Sequence, residues 1–213
     1  MKATAYVVGP LDGPGAALTD LAQGLDFAAV LPYGGISHAE RQVSQTPVCY
    51  FLFAAVEDVT ALRGVADAIR FCPSRRVRFS PLIYFSESPS MEAITQCIGM
   101  GFDDVITMPF TQARVRERIA RQVGQTQVYY ETPGYFGPDR RDRVTGPRQA
   151  GESRLGGQFR RLEIVRSLFT GVNVVRDDLH ADQLADSSAQ KLQRCNSYGK
   201  SFPPVLSLPG EFA

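Results

Sequence analysis

An α/β fold built on a five-stranded parallel sheet is what residues 1–125 of this 213-residue chain predict. Three observations predict it. Five apolar runs recur, each short enough for a strand rather than a helix. Between them lie stretches with helical spacing, and alternating strands and helices form a parallel sheet covered on both faces. The third run, residues 48–56, is apolar without alternation, as a central strand buried on both faces should be.

The elements follow in order. Residues 4–8 form the first strand, and Leu18, Leu21, Ala22 and Leu25 mark a helix at i, i+3, i+4, i+7. Residues 27–31 form the second strand, and a weaker helix covers 38–43. After the third strand, Leu62, Val65, Ala66 and Ile69 repeat the helical spacing, and residues 82–85 read as the fourth strand. Met91, Ile94 and Ile98 mark the fourth helix, which Ser90 caps and Gly99 and Gly101 terminate. Residues 105–106 are the fifth strand. Val115, Ile119 and Val123 give the fifth helix, with Thr111 as its cap. Right-handed crossovers then favour the flavodoxin-like strand order 2-1-3-4-5.

Composition narrows the function classes. A hydrophobic share of 44% and a charged share of 21% describe an ordinary globular chain. The net charge of +1 gives no global field toward nucleic acid or an anionic membrane. Residues 1–128 carry 11 Lys/Arg against 12 Asp/Glu, and residues 129–213 carry 12 against 10. The local excess lies in 138–166, with eight Arg and four acids. Cys49, Cys72, Cys97 and Cys195 are isolated, so free thiols in a reducing compartment are expected. No signal peptide and no apolar stretch of ~20 residues is present, so no membrane partner and a cytoplasmic location are expected.

Past residue 125 the character changes. Residues 129–143 run aromatic, then turn-rich, then basic, and Pro133, Gly134, Gly137 and Pro138 rule out one long regular element. Residues 158–178 hold two apolar patches that fit either a hairpin or a short helix and strand. The expected organisation is an α/β domain over 1–125, an aromatic and arginine-rich extension over 126–180 with short strands or a helix, and a weakly ordered tail over 181–213.

Residues 99–110, Gly-Met-Gly-Phe-Asp-Asp-Val-Ile-Thr-Met-Pro-Phe, resemble the segment that closes a response-regulator receiver domain. There a glycine-acid turn and a fifth strand precede Lys-Pro-Phe. Residues 82–86 are similarly placed for the fourth strand and its terminal Thr or Ser. The resemblance covers residues 2–123 and implies a pocket of three acids at strand ends. Two would hold Mg²⁺ and one would accept the phosphoryl group, because a carboxylate nucleophile needs the ion to offset charge repulsion. Carried onto this sequence, the acidic pair falls on Gly9 and Pro10, the phosphoacceptor on Phe53 or Ala54, and the lysine on Met108. Ser86 and Pro109 alone match, and Val105 takes the aromatic switch position. By the resemblance, Met108–Pro109 should be cis.

These readings converge on a degenerate receiver, a pseudo-receiver that works without phosphorylation and is not an enzyme. The expected role is that of a regulatory adaptor in bacterial two-component signalling. It would bind a protein partner, such as a signalling or motility component, or self-associate through its fourth and fifth helices. Arg114, Arg118 and Arg121 on the fifth helix, and Tyr135, Phe136, Arg140, Arg141 and Arg143 beyond it, are the candidate contacts; segment 129–143 would either grip the partner or act as an intrachain clamp, with Tyr135 and Phe136 pinned to the domain. No metal and no cofactor is expected. In the alternative reading, Arg140, Arg141 and Arg143 bind the phosphates of a nucleotide second messenger, a cyclic dinucleotide. An active phosphoacceptor would need Asp58, brought near the pocket by a lengthened third strand, and a bound divalent ion, with Asp12 approaching if the first loop folded back. DNA is not the expected partner, as no helix-turn-helix pattern follows. Gly9 to Gly15 lacks the spacing of a phosphate loop, and His38 and His180 read as surface residues.

Overall fold

The computed structural model describes residues 2–43, 45–88, 90–139 and 158–180. Strands β1 (Ala3–Val8), β2 (Ala29–Pro32), β3 (Val48–Phe53), β4 (Leu82–Ser86) and β5 (Asp104–Thr107) form one parallel sheet in the order β2-β1-β3-β4-β5. The predicted order 2-1-3-4-5 is therefore the observed one. Helices α1 (Gly13–Gln23), α2 (Ile36–Gln42), α3 (Arg63–Arg70), α4 (Arg75–Arg78), α5 (Met91–Gly99) and α6 (Gln112–Ala120) link the strands, with a 3-10 turn (Val59–Leu62) leading into α3.

Two cores sandwich this sheet because successive strand residues face opposite ways. Tyr6, Phe51, Phe53 and Tyr84 pack with Ala66, Ile69 and Cys97 on one face. Ala5, Tyr50, Leu52 and Phe85 pack with Leu18, Ala22, Val115 and Ile119 on the other. Cys49 is a buried free thiol, pushed up to about 11 by its burial. Both expected caps form: the Ala93 N–H donates to Ser90 Oγ (3.3 Å) and the Arg114 N–H to Thr111 Oγ1 (3.2 Å). His38 departs from its surface reading. It is half-buried, edge-on to the Tyr6 ring at 5.9 Å. The one-turn α4 has a single apolar residue, Val77, and so no periodicity announces it.

Beyond α6 the chain forms a second sheet. Strands β6 (Thr126–Thr132), β7 (Tyr135–Pro138), β8 (Phe159–Ser167) and β9 (Gly171–His180) pair antiparallel in the order β7-β6-β8-β9. Pro133 and Gly134 make the turn of the first hairpin, so they divide regular structure without ending it. The hairpin option holds for β8 and β9. A third core joins this sheet to the α/β part: Phe79 meets Tyr129 (5.3 Å) and Phe136 (5.1 Å) beside Leu162 and Ile164. The sheet sits against the connection from α3 to β4 and the turn from α5 to β5. At that turn Gly101 (φ +79°) touches Gly137 closely enough that a Cβ on Gly137 would lie 2.6 Å from the Gly101 Cα. The expected tail, 181–213, lies outside the described residues.

Candidate functional site

The sequence-predicted pocket positions gather at the carboxyl edge of the parallel sheet. Gly9 and Pro10 follow β1, Ala54 follows β3, Ser86 ends β4, and Met108 and Pro109 follow β5. The Ala54 N–H donates to the Val8 carbonyl (2.9 Å). A Cβ added to Gly9 would lie 2.8 Å from the Ala54 Cβ, so the two residues occupy each other's side-chain space. Phe53 is a core ring, fully buried and 4.7 Å from Phe102, which leaves Ala54 as the residue at the edge. Ser86 Oγ donates to the Ser88 carbonyl (2.6 Å), and the Met108 N–H to the Ser86 carbonyl (3.0 Å). Met108–Pro109 is cis, as expected, and the Met108 side chain is half exposed.

The acids that could have served instead are otherwise engaged or simply exposed. Asp58 accepts from the Thr60 hydroxyl (2.7 Å) and N–H (2.9 Å), which hold its carboxyl below the usual carboxylate range. Asp12 precedes α1, and its side chain makes no capping bond. A Cβ on Gly15 would fall 1.7 Å from the Pro10 carbonyl oxygen, so the first loop folds back on the first turn of α1 and turns a carbonyl oxygen toward it. Among the described residues no three His, Cys, Asp or Glu side chains are grouped to hold a metal ion.

The predicted contact residues divide. Arg118 makes a two-pronged ion pair with the buried Asp104, its Nε 2.7 Å from Oδ2. Arg121 pairs with Glu117 one turn away, and Arg116 with Asp26 (3.3 Å). Arg114 is exposed on the first turn of α6. With Asp104, Glu117 and Gln122, Arg114, Arg118 and Arg121 line a surface groove of about 290 Å³. Phe136 must be corrected. It is 2% exposed, set between Phe79 and Tyr129 under the Arg78 guanidinium (4.0 Å), and cannot reach a partner. Tyr135 is half-buried and its hydroxyl donates to the Pro138 carbonyl (3.3 Å). Arg140, Arg141 and Arg143 lie outside the described residues.

The most developed polar constellation sits at the opposite, amino edge, and sequence reading missed it. Asp103 is buried between two guanidinium groups, Arg70 Nη2 at 2.6 Å and Arg166 Nη2 at 2.9 Å. It also accepts from the Tyr129 hydroxyl and from the Leu82 N–H (2.8 Å). Burial works against the charged carboxylate, but Arg166, Arg70 and these hydrogen bonds outweigh it and bring the pKa down to about 2. Burial pushes the Tyr129 hydroxyl up, which keeps it a donor. One carboxylate does not neutralise two guanidinium groups, and backbone carbonyls supply the remainder. Arg70 donates to Gly101 (2.7 Å), Arg78 (2.8 Å) and Ser80 (2.9 Å), and Arg166 to Phe79 (2.6 Å) and Gln122 (3.1 Å). Every member is saturated and shut from water. The cluster can lock the second sheet to the α/β part, but it offers no free group for chemistry.

No protein-family profile and no curated protein matches the chain. Solved structures do. The receiver domain of a sensor histidine kinase from Pseudomonas aeruginosa is 18% identical and covers 57% of this chain and 98% of its own, at a TM-score of 0.42. A CheY-like protein (TadZ) from the same organism is 12% identical over 56% of this chain and 98% of its own, at 0.42. A response regulator from Desulfuromonas acetoxidans is 20% identical over 56% and 94%, at 0.37. At such identities the likeness is one of fold. The strand order 2-1-3-4-5 and the separate antiparallel sheet make this chain a receiver-like, flavodoxin-type α/β fold with a C-terminal extension.

Proposed function

We propose that this chain is a regulatory adaptor of bacterial two-component signalling, a pseudo-receiver that binds a protein partner and is not switched by phosphorylation. The observation that carries this reading is the contact between Gly9 and Ala54. Where phosphoryl transfer needs carboxylates to hold Mg²⁺ and accept the group, these residues present a hydrogen and a methyl packed together. The parallel sheet with its helices and the second sheet, β6 to β9, act as one unit, because the buried Asp103 cluster ties them. The unit presents α5 and α6 in a fixed arrangement. Arg114 is free to pair with a partner's acid, while Arg118 and Arg121 shape the groove beside it. No catalytic activity enters this reading.

Calorimetry of the full chain with Mg²⁺ and beryllofluoride, a phosphoryl mimic, tests it. The expected result is no heat of binding. Heat that disappears in Asp58→Ala would restore a phosphorylated switch and overturn the adaptor. A parallel titration with a cyclic dinucleotide is expected to be silent, and binding lost in Arg140→Ala would replace the adaptor with a sensor.

A further inference from the structure

We infer that the carboxyl edge of the parallel sheet is a docking surface for a basic protein segment that carries apolar anchors. The sequence of the five loops at this edge, residues 9–12, 33–35, 54–58, 87–90 and 108–111, includes Asp12, Glu57, Asp58 and Glu87 but no Lys or Arg. Parallel topology sends all five to one side of the molecule. There, Leu11 is 83% exposed, Met91 at the start of α5 is 75% exposed, and Met108 is 50% exposed. These are three of the seven large apolar side chains most exposed among the described residues. Exposed apolar side chains set among charges are the composition of an interaction surface, and methionine adapts its shape to a partner.

The loops are held side by side. Gly9 packs on Ala54, the Val56 N–H donates to the Tyr84 hydroxyl (3.4 Å), and the Met108 N–H donates to the Ser86 carbonyl. From β1 to β5 is three strand spacings, roughly 14 Å at ~4.8 Å each. A single helix, roughly 10–12 Å across with its side chains, covers most of that width. Charge then selects the occupant. Four exposed carboxylates attract lysine and arginine and repel phosphates, so nucleic acid and free nucleotides are excluded from this edge. Arg114, on the first turn of α6, and Arg63, at the start of α3, are exposed guanidinium groups on the helices that leave this edge, so the acidic character belongs to the loops themselves. The inference rests on the adaptor reading, in which this edge has been released from phosphoryl chemistry.

The four methionines, Met1, Met91, Met100 and Met108, provide the test. In full-length protein carrying ¹³C-methyl methionine, Met91 and Met108 report on the surface, and Met100, 3% exposed, serves as the internal control. The probe is a synthetic amphipathic peptide of leucine and lysine, compared with a leucine and glutamate peptide of the same pattern. The Met91 and Met108 signals should move with the lysine peptide only, while Met100 stays. Binding should weaken about tenfold in Leu11→Gln with Met108→Gln. It should also weaken in Glu57→Lys with Glu87→Lys, and as salt is raised. Equal response to both peptides, or lysine-peptide binding untouched by either double substitution, overturns the inference. Heat with beryllofluoride would instead fail the adaptor reading, and silence toward both mimic and peptide would fail this inference alone.

Discussion

In the loops at the carboxyl edge of the parallel sheet the charges are exposed carboxylates, Asp12, Glu57, Asp58 and Glu87. At the amino edge the charges of Asp103, Arg70 and Arg166 are buried, and each has hydrogen-bond partners. Open α/β sheets ordinarily gather their ligands at the carboxyl edge. Here the elaborate polar construction stands at the other end, where a second sheet has docked. The difference teaches how to tell a site from a joint. A joint is saturated, dry and anchored to backbone carbonyls, whereas an interaction surface keeps unspent charge and exposed apolar atoms.

The largest effect should come from the joint. Asp103→Ala would leave two buried guanidinium groups without their anion and strand the Leu82 N–H. Breaking a buried pair in this way costs about 3–5 kcal/mol. Urea unfolding of the full chain should show that loss, with both sheets melting in one transition. A change of less than about 1 kcal/mol would mean that the amino edge is no joint at all. Next come the two glycines where the sheets touch. In Gly101→Ala the new Cβ would meet the Phe136 carbonyl oxygen at 2.3 Å, at a φ of +79°. In Gly137→Ala it would meet the Gly101 Cα at 2.6 Å. Strain and overpacking of this kind cost about 1–3 kcal/mol each. The two variants should be less than additive, since they disturb one contact.

Acid should act on the same joint. The carboxyl of Asp103 has a folded pKa of about 2, below the ~3.9 of an unfolded aspartate. Its contribution is therefore complete above pH ~4 and is lost as pH falls toward 2. The size is on the order of 2–3 kcal/mol. Denaturant midpoints measured between pH 5 and 2 should fall with this profile. Asp103→Asn should flatten that part of the curve, whatever its overall stability.

Much of the α/β part was legible because its signals are local. Strand runs, helical spacing, Ser90, Thr111 and the order of elements each need only neighbouring residues. The carboxyl-edge positions were legible for the same reason, as they follow strand ends. The joint was not, because its partners are far apart in sequence: Asp103 and Arg166 are separated by 63 positions. One trace of it was present. Leu162, Ile164 and Arg166 occupy alternate, buried positions of β8. An arginine continuing an apolar alternation requires a buried anion somewhere. Phe136 adjoins a basic run and so reads either as a partner contact or as a clamp on the domain, and the structure makes it the clamp. What decides its burial is Gly137, whose missing side chain lets the backbone close on Gly101.

The smallest effect is expected at the carboxyl edge, from Glu57→Gln combined with Glu87→Gln. Both carboxylates are exposed, so stability should change by no more than about 0.5 kcal/mol. The sign is informative. The loops of this edge hold four carboxylates and no Lys or Arg, so removing two should relieve repulsion and stabilise slightly. That gain should shrink as salt is raised, because exposed charges are screened. A loss of more than about 1 kcal/mol would show that these acids hold the loops in place, and the contrast between the edges would fail. A small salt-sensitive gain would show that the fold tolerates these carboxylates without depending on them, as it would at a surface kept for a partner.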